Sequence, residues 1–148
     1  MSTWAEGVFE NDAAADYVYG LLDKMIEQIL KTVVDPVKLE PDEDDSRILL
    51  CNVDLLGVVA HHVYRQVWSS GSWTIRGPLL PPAEEVLAWK AAYLEVWDRT
   101  IDGFDPTPAY KTGHRAQIVA AFDRLAELSH RQDGGPAEPS ATADRGGM

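Results

Sequence analysis

Two sets of residues in this chain have the types and spacing to do chemistry. Asp12 and Asp16 stand four apart near the start of a periodic apolar segment, so a helix there places both carboxylates one turn apart on one face. Paired carboxylates can hold a cation or share a proton. Asp54, His61, His62 and Arg65 fall in a second periodic segment, with Asp54 and His61 two turns apart and His61 and Arg65 one. Asp12, Asp16, Asp54 and His61 would make a small metal-dependent or acid–base hydrolase if the two regions share a cleft. The structural alternative is simpler: Asn and Asp cap helix starts, and a polar stripe is a solvated face. His61 and His62 are adjacent, so they project about 100° apart and do not clamp one metal from one helix. No zinc spacing, phosphate loop or nucleophile elbow occurs, and Cys51 lacks the electropositive setting of a nucleophile and reads as core. The expectation is therefore no cofactor, no metal and a non-enzymatic role, with the hydrolase as the alternative.

Aromatic residues are the other candidate. Trp68, Trp73, Trp89, Tyr93 and Trp97 crowd the middle third, and the last three sit four apart in one stripe. Leu87, Leu94 and Ile101 occupy the adjoining face. A bundle helix usually leaves one side wet, so at least one of the three aromatics is expected to be exposed as an anchor for a partner.

Charge narrows the partner. The net charge is −11, and residues 1–50 hold twelve Asp/Glu against four Lys/Arg, a net of −8. Such a surface repels phosphate backbones and anionic lipid, so nucleic acid and membrane partners are not expected, and a basic protein partner is. The candidate binding residues are Trp4, Glu10, Asp12, Asp16, Trp89, Tyr93 and Trp97. A homo-oligomer is a third reading. With no apolar run of membrane-spanning length, no secretory signal pattern and a single cysteine, a cytoplasmic protein is expected.

The elements that must position these residues are helices. Apolar periodicity predicts helices at about 11–34, 46–68, 82–101 and 114–131. Asn11 or Asp12 caps the first, and Asp35-Pro36 stops it. Residues 35–45 form an acidic connector. The second helix is expected to bury Ile48, Leu49, Leu55, Leu56, Val59, Val63 and Val67, with Val53, Ala60 and Tyr64 widening that face. Residues 69–81 and 104–113 read as Pro- and Gly-bearing loops, with Gly103 ending the third helix in a left-handed residue and Phe104 covering that end. The chain after 131 is too poor in large apolar residues to offset its entropy and reads as a disordered tail. The expectation is an all-α domain over 1–131, a compact bundle of about four helices with an ordered N-terminal lid.

That lid carries a resemblance. Trp4, Gly7, Phe9, Asn11, Asp12, Ala14 and Asp16 resemble the Trp-Gly-x-Gly-x-Phe-x-Asn-Asp opening of the domain of unknown function 4259 family. Ala5 and Ser2 depart from it, each standing where a glycine is usual. The resemblance implies a small bacterial helical protein and brings no catalytic residues with it. On structural grounds, Trp4 and Phe9 are expected to pack onto the first helix.

Overall fold

The computed structural model of the protein describes residues 7–9, 11–67 and 78–134, the side chains of 133 and 134 excepted. Its elements are α1 (Asp12–Val33), α2 (Asp44–Val67), α3 (Ala83–Thr100), a 3-10 turn (Ile101–Phe104) and α4 (Pro108–Gly134). α1 packs on α2, α2 on α4 and α4 on α3, while α3 also touches α1, so the helices form a ring around one core. The all-α bundle expected from periodicity is the fold observed.

Asn11 starts α1. Its backbone is extended, and its Oδ1 accepts the Ala14 N–H at 2.8 Å, satisfying one of the helix's open donors. Phe9 packs half-buried against the core with its ring edge-on to His62, 5.7 Å between centroids. Trp4 and Glu10 lie outside the described residues. α1 and α2 are clipped together by Gln28, whose Nε2 donates to Thr32 Oγ1 and to the Asp45 carbonyl at 3.1 Å each. Its Oε1 accepts from Asn52 Nδ2 at 2.8 Å.

α2 alone among the described residues is long and apolar enough to cross a membrane. In the bundle it buries Leu49, Val53, Leu56, Gly57, Ala60, Val63 and Val67. Ile48 and Leu55, expected in the core, are about half exposed, because the buried arc is centred on the Val53 and Ala60 side of the expected apolar face. Cys51 is exposed, contrary to the core position expected of it.

α3 overturns the expectation of an exposed aromatic. Trp89, Tyr93 and Trp97 are only 3%, 3% and 1% exposed. One face of α3 stays partly wet, but it is the face of Leu87, which is exposed, with Leu94 half-buried and Ile101 at its end buried. Aromatic side chains bury more area than leucine, so turning them inward removes more apolar surface from water.

Both ends of the following connection differ from expectation. α3 runs on into the 3-10 turn, the left-handed residue is Asp105 (φ 54°) rather than Gly103, and Phe104 is exposed. α4 then begins at Pro108, six residues before the expected start. Thr107 caps it, its Oγ1 accepting the Tyr110 N–H at 3.1 Å, and Pro108 takes the first helical position.

The other end of α4 is also longer than expected. The disordered tail was expected from 132, but Gln132–Gly134 complete the helix, and 135–148 lie outside the described residues. Gln132 clasps the backbone of buried Leu80, accepting its N–H at 2.9 Å and donating to its carbonyl at 2.8 Å, and it also accepts from the Tyr64 hydroxyl. Gln132→Ala strips the side-chain partners from both the N–H and the C=O of Leu80. It is expected to lower unfolding free energy by about 1–3 kcal/mol in urea titration, and a loss of only a few tenths would show that the clasp is idle.

Candidate functional site

Helical spacing assembles two features. The first is a cleft of about 560 Å³ between α2, α3 and α4. From α2 come Arg47, Cys51 and Asp54, at i, i+4 and i+7. From α4 come Tyr110, His114, Gln117 and Arg124, also on one face. Tyr93 and Trp97 of α3 form the floor. So the buried aromatics do meet a surface, but from beneath.

Hydrogen bonds fix that floor. The Ser46 hydroxyl lies 3.1 Å from the Leu39 carbonyl and 3.2 Å from the Tyr93 hydroxyl, and all three residues are buried. A serine has one proton. With that proton given to Leu39, the phenol supplies its own to Ser46. Burial pushes the Tyr93 phenol up, opposed by the Ser46 hydrogen bond, and the neutral donor form is kept. The wall is aromatic: His114 stacks on Tyr110 at 5.1 Å and 10°, and tilts against Trp97 at 6.2 Å.

Arg124 pairs with Asp54 at 2.7 Å, closing one end of the cleft. Both residues also line a second, mostly apolar groove of about 570 Å³ between α2 and α4, which holds Val58, His61 and Leu128. Asp54 and His61 therefore do share a groove. Asp12 and Asp16 do not join them, since no α1 residue lines it. Among the described residues no group of three or more His, Cys, Asp or Glu side chains could hold a metal ion. The four residues of the alternative hydrolase reading are thus split between two places.

The second feature is on α1. Asp12, Asp16, Asp23 and Glu27 are all exposed and fall within a 60° arc of the helix. They form one acidic stripe, about 22 Å long at 1.5 Å rise per residue. The connector adds Glu40, Asp42 and Glu43. Elsewhere the bundle neutralises itself across the α3–α4 seam. Lys90 meets Asp123 and Lys111 meets Asp102, each at 2.7 Å, and Arg115 grips Asp98 with two bonds of 2.8 Å. That hydrogen-bonded grip lowers the Asp98 carboxyl and raises the Arg115 guanidinium. Asp12, Asp23, Glu27, Glu40, Asp42 and Glu43 make no ion pair among the described residues.

Of the residues singled out in the sequence, then, Asp12 and Asp16 lie on the acidic stripe, Tyr93 and Trp97 under the cleft, and Trp89 in the core. Trp4 and Glu10 lie outside the described residues. Arg47, Tyr110, His114, Gln117 and Arg124 were not anticipated. Their signal was the Thr107-Pro108 helix start, which puts Tyr110, His114, Gln117 and Arg124 in register.

A family model described as a domain of unknown function (DUF4259) matches residues 2–127. The chain belongs to the DUF4259 family. The DUF4259 match takes in the N-terminal signature, the whole acidic stripe and every residue lining the polar cleft, and it ends before Gln132. Neither a curated protein nor a solved structure matches the chain.

His114 offers a direct check on the cleft wall. Burial against Trp97 and Tyr110 lowers its pKa below 6.5, because the charged imidazolium loses solvation there. A depressed histidine contributes stability above its unfolded value and loses it as pH falls through the window below 6.5. In an NMR titration of the four histidines, His114 is expected to have its midpoint below 6.5, and a midpoint at or above that value would mean an open, solvated ring.

Proposed function

We propose that this DUF4259 protein is a non-enzymatic protein-binding module whose acidic α1 face docks a basic protein partner. The observation that carries the reading is the stripe of Asp12, Asp16, Asp23 and Glu27 on one exposed helical face. Several α3 and α4 charges are paired within the bundle, whereas Asp12, Asp23 and Glu27 of this face make no ion pair among the described residues. Aligned carboxylates steer a cationic surface into register and speed its encounter. The same charge disfavours nucleic acid and anionic membranes. An immunity- or antitoxin-like protein, covering the basic site of a toxin or nuclease in the cytoplasm, is the form of this reading that fits a small acidic bundle. The buried aromatics take no part in it, so recognition rests on the carboxylates and on exposed α1 residues beside them such as Tyr17.

The test neutralises the stripe without changing its shape. Wild type and the variant carrying Asp12→Asn, Asp16→Asn, Asp23→Asn and Glu27→Gln are tagged and used to capture partners from host extract. A basic protein retained by the wild type, released by raised salt and missing from the variant is the expected result. Equal retention by both proteins, or no basic protein on either, would refute the proposal.

A further inference from the structure

Apart from the acidic stripe, the polar cleft has the make-up of a small-molecule site. In a chain of net charge −11 it gathers two guanidiniums, Arg47 and Arg124, against one lining carboxylate, Asp54, while Arg47 also makes a long, exposed ion pair of 3.7 Å with Asp44 outside the cleft. Its floor is Tyr93 and Trp97, and its wall is the Tyr110–His114 stack. Burial disfavours the charged form of His114, so the imidazole adds a ring and a hydrogen-bonding nitrogen. The outer face of Tyr110 is exposed, leaving a flat surface open to a ligand. At about 560 Å³ the cleft lies within the range of small-molecule pockets. Guanidiniums grip carboxylates and phosphates in bidentate fashion, and aromatic walls select flat rings.

We infer that this cleft binds a small aromatic anion, its carboxylate or phosphate held by Arg47 and Arg124 and its ring against the Tyr110–His114 wall. Asp54 sets the affinity from the side. It holds Arg124 at 2.7 Å and so competes with the ligand for that guanidinium. Removing the Asp54 charge therefore strengthens anion binding, whereas a cation site would lose its only carboxylate among the lining residues.

The experiment uses the full chain and calorimetry with benzoate, phenyl phosphate, inorganic phosphate and uncharged benzamide. Benzoate or phenyl phosphate is expected to bind with a Kd of about 1 mM or tighter, with benzamide at least roughly tenfold weaker. Preference between the two anions separates a carboxylate from a phosphate ligand, and inorganic phosphate binding as well as phenyl phosphate would remove the role of the ring. Arg47→Gln and Arg124→Gln are each expected to weaken binding by roughly tenfold, and Asp54→Asn to tighten it by several-fold. All three positions are exposed, so the melting temperature of each variant shows that it stays folded. Failure of both aromatic anions to bind, equal binding of benzamide, indifference to both arginine changes, or weaker anion binding by Asp54→Asn would each overturn the inference.

Discussion

Trp89, Tyr93 and Trp97 turn inward along one face of α3, and the rest of the bundle is arranged around them. Tyr93 meets Phe122 of α4 at 5.6 Å between ring centroids, and its hydroxyl reaches Ser46 at the start of α2. One side chain thus ties α3 to α4 and to the start of α2, and Ser46 passes the tie to Leu39 in the connector. Each buried aromatic removes about 150–250 Å² from water, a gross gain of about 4–6 kcal/mol at 25 cal/mol per Å². No surface ion pair in the molecule approaches that, since exposed pairs contribute about 0–1 kcal/mol each. The α3–α4 charge pairs therefore refine a seam that aromatic burial has already made.

The acidic stripe and the polar cleft are surfaces that this burial leaves open. With the aromatic face of α3 used as core, the proposed partner surface rests instead on α1, which carries its carboxylates on an exposed face. The same core roofs the polar cleft from below, so Tyr93 and Trp97 give that cleft a rigid floor. Asp54 and Arg124 form the bar between the cleft and the apolar groove beside it. Stripe and cleft have opposite local charge and no residue in common.

Helix content, the Asn11 cap and the connector were legible because they rest on local physics: apolar period, a capping side chain and a proline stop. Three features were less so. Allocation of the α3 faces depended on which of two adjoining apolar arcs turns inward, and spacing alone does not rank them; side-chain area does. The early start of α4 was hidden by Gly113, read as a breaker although one helical glycine costs only about 1 kcal/mol. The Thr107-Pro108 signal was present and outweighs it. Gln132 sits in a stretch of tail-like composition, and its role depends on Leu80, 52 residues away, which no local pattern reveals. The cleft was missed for the same two reasons, because it needs both the full length of α4 and the inward turn of α3.

Burial of Trp89, Tyr93 and Trp97 makes the aromatic face of α3 core and leaves it no part in docking. Trp97→Ala, followed by urea denaturation of the full chain, measures what that burial is worth. A buried tryptophan cut to alanine loses about 3–5 kcal/mol, a large share of the roughly 5–15 kcal/mol that holds a domain together. The expected result is a loss of that size, or a chain that no longer unfolds cooperatively. A loss below about 1 kcal/mol with cooperative unfolding intact would return Trp97 to the surface.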